Sequence, residues 1–166
     1  DVEPSASDSM DIGCVRMTER HLHDDPPTAA QIDGARADIG AAIRATGHMV
    51  DLSQVRTIVG VAGSVTTVTA HALGLPSYQR ERINGTRLPA AQVHAACREL
   101  LTMPRARRAE LGFMHPGRVD VIGAGALIWS EVIGAVAEQV AGAGGQLGQV
   151  VTSEHDILDG IALSLA

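Results

Sequence analysis

Residues 58–75 read IVGVAGSVTTVTAHALGL, and the organisation of the chain can be worked out from this stretch in both directions. Residues 55–61 predict a buried strand, because their apolar side chains are mainly β-branched. The glycines of Gly60–Ser64 then predict a tight turn, and residues 65–73 predict a helix that ends at Gly74. A strand, a glycine turn and a helix in this order are typical of an α/β fold.

The flanking sequence continues this alternation of strands and helices. The further predicted elements are a strand over 9–18, a helix from a Thr28–Gln31 capping box to Gly47, a turn at Asn84-Gly85, a helix with Pro89 at its first position, a short helix over 104–111, a strand over 118–122, a turn at Gly123–Gly125, a helix over 126–141, a strand over 149–152 and a helix over 156–165 with one face packed on the sheet. Residues 1–8 are polar and without period, so we expect a disordered or displaced end before a domain over 9–166. The pattern predicts a layered α/β fold with parallel pairing in part of its sheet.

Composition excludes several classes of function. The 166 residues carry a net charge of −6 and only three aromatic side chains, which argues against nucleic-acid binding. No apolar run is long enough to span a bilayer, so we expect no membrane segment. All 13 basic residues are arginines, which excludes mechanisms that need a lysine. Cys14 and Cys97 lie in apolar surroundings and are expected to be free thiols, which suits the cytoplasm.

Three strand-to-helix turns are candidate ligand sites, since open α/β sheets bind ligands beyond the carboxyl ends of their strands. At Gly60–Thr67, glycines, hydroxyls and a helix N-terminus suit a phosphate, although the same residues also serve as a plain turn and cap. The glycines of Gly123–Gly125 either line a site or permit close packing. At Ser153–Asp156, His155 is either an acid/base candidate or a solvated loop histidine beside a helix cap.

Charged residues elsewhere give weaker candidates. Arg16 either points into a shared cleft or is solvent-exposed. Residues 21–25 read HLHDD, but the spacing matches no zinc or calcium signature, so we predict no metal site there. Arg105, Arg107 and Arg108 are expected on a solvated helix face, with contact to a polyanion as the alternative.

Several segments together resemble the exopolyphosphatase / guanosine pentaphosphate phosphatase (Ppx/GppA) family, most closely an actinobacterial-type branch. The segments that carry the resemblance are SMDIGCVRMTER (9–20), IVGVAGSVTTVTAHALGL (58–75), Tyr78 with RINGTRL (82–88), HPGRVDVIGAGALI (115–128) and VTSEHDILDGIALSL (151–165). The resemblance implies one half of a two-domain phosphatase with the three-layer, ribonuclease H-like fold of actin, Hsp70 and sugar kinases. It makes residues 9–166 the second domain, incomplete at its N-terminal side.

The resemblance also implies a function. The family releases terminal phosphate from inorganic polyphosphate or the 5′ γ-phosphate from guanosine pentaphosphate, usually with magnesium, and a homodimer is expected. Gly60, Gly63 and Ser64 match the family's glycine-rich segment and are expected to contact phosphate, with Arg16 as a weaker candidate. Arg118 and Asp120 match a family pattern, in which their role is either in the site or structural.

The catalytic base and the two phosphate loops of the family have no counterpart in this chain. We therefore expect the 166 residues alone to be inactive or nearly so, and we name no catalytic residue and no metal ligand in them. The alternatives are a non-catalytic domain that binds phosphoanions and a purely structural or dimerisation domain of the same fold.

Overall fold

The computed structural model describes residues 4–165 and consists of helices around a small sheet. Its elements are α1 (Cys14–His21), α2 (Ala29–Thr46), β1 (Ile58–Gly60), α3 (Ala62–Ala72), α4 (Arg80–Ile83), β2 (Arg87–Pro89), α5 (Ala90–Thr102), α6 (Arg105–Ala109), a 3-10 turn (Pro116–Arg118), α7 (Ile122–Gly142), β3 (Gln149–Thr152) and α8 (Ile157–Ser164). Within the described residues, no helix combines the length and the apolar character needed to cross a membrane.

The sheet has the strand order β1-β3-β2. β1 and β3 pair in parallel, with Val59 opposite Val151, which confirms the parallel pairing predicted from the sequence. β2 pairs antiparallel with β3 and was missed, because a three-residue strand that ends in Pro89 has too little pattern to detect. Both remaining edges of the described sheet, one on β1 and one on β2, lie open.

Helix α7 is the central element of the core. On one side it packs with α3, α5 and the sheet around Ile122, Ile133 and Trp129. On the other side it packs with α1 and α2 around Met17 and Ile39, which are fully buried. Packing on both sides explains why α7 is mostly apolar, and its charged residues Glu131 and Glu138 lie on the remaining, partly exposed part of the helix.

Helix α2 follows its sequence signals closely. The Thr28 hydroxyl accepts from the backbone N–H of Gln31, and the Gln31 side chain accepts from the N–H of Thr28, which is the predicted capping box. The helix ends at Gly47 as predicted. Of the expected displaced end at 1–8, residues 1–3 lie outside the described residues, and residues 4–8 form no helix or strand.

The predicted strand over 9–18 is wrong. Residues from Cys14 form helix α1 instead, with Gly13 as its N-cap and Met17 as its buried side chain. The alternation of apolar and polar residues that indicated a strand covers only three positions. Packing of α1 against α7 and α2 overrides this weak local preference.

The predicted strand over 118–122 and the turn at Gly123–Gly125 are also wrong. His115 Nδ1 accepts from the N–H of Gly117, Pro116 opens a 3-10 turn, and α7 begins at Ile122. The glycines lie inside α7, and the packing interpretation is the correct one. A β-carbon on Gly125 would overlap the Ser64 side chain, so this glycine lets α3 approach α7 closely.

Two predictions about exposure fail as well. Arg108 is buried rather than solvated, and its guanidinium pairs with Asp25 at 3.1 Å. Helix α8 forms as predicted, but none of its side chains is buried against the sheet.

Candidate functional site

A cavity of about 120 Å³ lies at the carboxyl end of β1, where the sequence predicted a site. The start of α3 forms one wall, through Ala62 and Gly63. Tyr78 and Arg118 also line it, and Ser153, Glu154 and Asp156 after β3 complete the lining. A space of this size holds about four waters or one group of comparable size, such as a phosphate.

The first turn of α3 is open to a ligand. Its N-cap residue, Val61, supplies no side-chain acceptor, so the first N–H groups of the helix lack a capping bond from that residue. Ala62 has φ 68°, a left-handed conformation that costs a residue with a β-carbon about 1–2 kcal/mol. An uncapped helix start held in a strained backbone is typical of anion-binding turns.

Arg118 brings positive charge to this helix start. Its guanidinium lies directly over the backbone of Gly63, where a β-carbon on residue 63 would overlap it. Arg118 Nη1 also donates weakly to Thr67 Oγ1 at 3.5 Å. A half-buried guanidinium beside uncapped helix N–H groups is an arrangement that favours a bound phosphate oxygen.

The threonines of α3 fix the turn from within. The hydroxyls of Thr66 and Thr67 donate to the carbonyl of Gly63, at 3.3 and 2.7 Å. Thr69 forms a buried hydroxyl pair with Thr152 at 2.7 Å, which ties α3 to the end of β3. These bonds satisfy the hydroxyl groups of three threonines that are buried in the fold.

A hydrogen-bonded pair of side chains, Tyr78 and Glu154, also lines the cavity. The Tyr78 hydroxyl donates to Glu154 Oε1 at 2.5 Å, and the backbone N–H of Glu154 donates to Asn84 Oδ1 at 3.0 Å. Burial first, and the bond to Glu154 second, raise the pKa of Tyr78 above its ordinary value. The pair thus keeps the phenol protonated and fixes Glu154 beside the cavity.

A second, more apolar cavity of about 430 Å³ adjoins the first. Tyr78 and Arg118 line both cavities, and Phe113, Met114 and His115 supply most of the remaining wall of the larger one. A flat apolar group attached to a phosphate would fit across the two, with the phosphate near Arg118.

The four predicted contact residues occupy different positions relative to this cavity. Gly63 lines it, whereas Gly60 lies beneath Trp129, whose ring a β-carbon at residue 60 would overlap. Ser64 faces Gly125 of α7. Arg16 is exposed on the surface of α1, where it pairs with Asp11, and does not line the cavity. Their contact with substrate stays a prediction, and the geometry favours Gly63.

The other candidates from the sequence have partners within the protein. Arg105, Arg107 and Arg108 pair with Asp120, Glu110 and Asp25 respectively. Asp120 is held in this pair, with its pKa lowered by the hydrogen bond from Arg105, and does not line the cavity. His155 is exposed and lies 3.4 Å from Asp159, while Asp156 caps α8 as predicted.

The described residues do not fit a metal ion held by this chain alone. They contain no cluster of three or more His, Cys, Asp or Glu side chains arranged to hold one. In the cavity, Glu154 is bonded to Tyr78, and Asp156 accepts from the N–H of Leu158.

Sequence reasoning missed the meeting of Arg118 with Gly63, because it placed Arg118 in a strand. The sequence His115-Pro116-Gly117 is typical of a turn and could have indicated that Arg118 does not continue a strand. In the structure, this turn places Arg118 against Gly63 of α3. Tyr78 and Glu154 are 76 residues apart, and only the fold brings them together.

Known proteins resemble this chain throughout its length. The model of the Ppx/GppA phosphatase family matches residues 1–148. Exopolyphosphatase 2 of Mycobacterium tuberculosis is 44% identical over 164 residues, which make up 99% of this chain and 50% of that protein.

Solved structures agree in fold. The crystal structure of an exopolyphosphatase-like protein has a TM-score of 0.94 at 46% identity, over 97% of this chain and 50% of the other. A Ppx/GppA enzyme of Aquifex aeolicus has a TM-score of 0.77 at 22% identity, over 93% and 48% of the two chains, and shows likeness of fold alone. These structures confirm the expected actin-like α/β fold, and the chain spans about half the length of the relatives it matches.

Proposed function

We propose that this chain, which belongs to the Ppx/GppA phosphatase family, is the half of a phosphohydrolase that binds the terminal phosphates of its substrate. Because the relatives are twice as long, the activity is proposed for a protein of their length that contains this chain, called the full-length protein below. The observation that carries the proposal is the position of Arg118 over the uncapped start of α3.

The residues of this chain would bind and orient the phosphates. The N–H groups at Gly63 and its neighbours would donate to phosphate oxygens, and Arg118 would balance their charge as the terminal P–O bond breaks. Tyr78, kept protonated by its surroundings, has its hydroxyl bonded to Glu154 and so fixes Glu154 beside the cavity. The base that activates water is expected in the other half, so residues 1–166 alone are expected to be inactive.

Inorganic polyphosphate is the first proposed substrate, because a relative with 44% identity is named an exopolyphosphatase. Guanosine pentaphosphate is the second candidate. The apolar cavity beside Arg118, lined by Phe113 and Met114, supports it, because a nucleobase needs such a surface and a linear polyphosphate does not.

Magnesium, homodimerisation and a cytoplasmic location complete the proposal. Magnesium commonly binds through substrate phosphates with only one or two carboxylates, so the lack of a metal-binding cluster within residues 4–165 is compatible with its use. Two free cysteines, Cys14 and Cys97, support a reducing compartment. Homodimerisation rests on the family resemblance, and sedimentation of the full-length protein tests it.

The test is phosphate release from polyphosphate and from guanosine pentaphosphate by the full-length protein, with magnesium and with a chelator. We expect release in magnesium, and an Arg118→Met variant should lose most of it. An Arg98→Met variant, changed at an exposed position on α5, is the matched control and should keep it. If the full-length protein binds these anions without releasing phosphate, the alternative of a non-catalytic binding domain is correct.

A further inference from the structure

Asp25, in the loop between α1 and α2, binds helix α6 at two places. The backbone N–H of Arg105, the first residue of α6, donates to both carboxylate oxygens of Asp25, at 2.8 and 3.0 Å. The N-cap residue, Pro104, has no side-chain acceptor for this N–H. Farther along the helix, Arg108 Nη2 donates to Asp25 Oδ1 at 3.1 Å. Asp25 therefore caps α6 and also pairs with its buried arginine.

Burial makes Arg108 dependent on this carboxylate. Only 7% of its side chain is exposed, and a charged guanidinium that is buried loses its contact with water. Its Nε is buried and has no hydrogen-bond partner, and Asp25 is the carboxylate that pairs with it within residues 4–165. Without Asp25 the positive charge would be buried without compensation, so Arg108 and the helix that carries it would have to move toward solvent.

Helix α6 in turn contacts the segment that carries Arg118. The Arg105 guanidinium donates to Asp120, which follows Arg118 by two residues. The guanidinium of Arg108 lies against the first turn of α7, where a β-carbon on Gly123 would be 3.4 Å from Nη1. The position of α6 therefore determines where the segment between the 3-10 turn and α7 lies.

We infer that Asp25 is a positioning residue of the candidate phosphate site, which acts through α6 to hold the Arg118 guanidinium at the start of α3. Neither Asp25 nor Asp120 lines the cavity, so we expect their effect on bound phosphate to pass through Arg118. The Arg105–Asp120 pair is more than half exposed on both sides and contributes little alone. Asp25 supports this pair and the buried Arg108 together, so its loss should have the larger effect. The effect on substrate rests on the proposed function, whereas the effect on the Arg118 side chain does not.

The test measures the arginine side-chain NMR signals of the full-length protein and its affinity for inorganic tripolyphosphate, with a chelator present. Asp25→Asn keeps the size of the side chain but removes the charge that Arg108 needs. We expect it to shift the Nε–H signal of Arg118 without ligand and to weaken tripolyphosphate binding about fivefold or more. In an Arg118→Met background, Asp25→Asn should change the affinity by less than about twofold. Asp24→Asn, at the neighbouring carboxylate that bonds Gln31 of α2, is the matched control and should change neither.

Two results would overturn the positioning role. The first is an unshifted Arg118 signal in Asp25→Asn. The second is an equal loss of affinity with and without the Arg118 side chain, which would indicate a general effect on the fold. If Arg118→Met alone leaves the affinity unchanged, the proposed phosphate site is wrong, and the Arg118 signal by itself decides whether Asp25 positions this side chain.

A second variant covers the case in which Asp25→Asn does not fold. Arg105→Met removes a side chain that is 57% exposed and breaks the link to Asp120 without leaving a buried charge unpaired. It should shift the Arg118 signal as well, and an Arg118 signal unchanged in a folded Arg105→Met protein would contradict the path through α6.

Discussion

The guanidinium of Arg118 occupies the space into which a side chain on Gly63 would project. The two residues are 55 positions apart in the sequence, and their contact places a fixed positive charge at the uncapped N-terminus of α3. The absence of a side chain at position 63 is therefore what lets the guanidinium approach so closely, since Gly63 itself has no left-handed backbone.

Gly63→Val in the full-length protein should weaken substrate binding about tenfold or more, equivalent to about 1.4 kcal/mol. The new side chain must displace Arg118 from the helix start. Substrate affinity and turnover are the measurements, with the melting temperature recorded beside them. Gly134→Ala on α7, where an added β-carbon meets nothing within 4 Å, is the matched control. Unchanged kinetics in a stably folded Gly63→Val protein would refute the role of this turn.

Tyr78 is the only tyrosine, so the tyrosinate absorbance of the folded chain reports on this residue alone. Burial and the bond to Glu154 raise its pKa, and the titration midpoint should lie above the ordinary value of 10.0. A raised phenol pKa contributes stability that is fully present below about pH 10 and is lost as the pH rises through the folded pKa. Tyr78→Phe should remove that part of the alkaline loss of stability. A midpoint at or below 10.0 in the folded chain would contradict the burial of Tyr78 together with its bond to Glu154.

Two leucines should differ sharply in their contribution to the stability of residues 1–166. Leu100 is fully buried in α5, and Leu100→Ala should lower the free energy of unfolding by about 2–5 kcal/mol. Leu158 is exposed, and Leu158→Ala should change it by less than about 0.5 kcal/mol. Chemical denaturation followed by the fluorescence of Trp129, the only tryptophan, measures both. A loss of several kcal/mol from Leu158→Ala would restore the original expectation that α8 packs on the sheet.

The two cysteines should react at different rates. Burial raises the pKa of the Cys97 thiol to about 12, so at pH 8 only about one molecule in ten thousand carries the reactive thiolate. Cys14 is only partly buried. A thiol reagent should therefore label one site per folded chain, and Cys14→Ser should abolish this fast phase. Rapid labelling of Cys97 in the folded protein would show that α5 opens readily.

The sequence predicted the elements that carry local signals. The capping box of Thr28 and Gln31 defined α2, and the run from Ile58 to Leu73 defined β1 and α3. The prediction from sequence failed where neighbouring residues are all buried, because their apolar side chains then show no helical periodicity. The first residues of α7, from Ile122 to Leu127, are all buried, so a continuous apolar run there was divided into a strand and a turn.

The candidate site was predictable only in part. Gly63 was identified because a glycine turn leaves a local pattern and because the segment resembles a known family. The part of the lining formed by Tyr78 and Glu154 could not be derived, since their bond depends on how β2 and α4 meet the end of β3. The exposed face of α8 was missed for a related reason, because helical periodicity predicts that a face is buried but not by which part of the protein.

The most direct test of the phosphate site is a titration of isotopically labelled residues 1–166 with inorganic tripolyphosphate, followed by the NMR shifts of backbone amides and arginine side chains. Saturable shifts at residues 62–66 and at the Arg118 side chain are expected. They should disappear in Arg118→Met and persist in Arg107→Met, which alters an exposed arginine paired with Glu110. Shifts confined to residues 105–108, or equal affinity in Arg118→Met, would contradict a phosphate site at the start of α3.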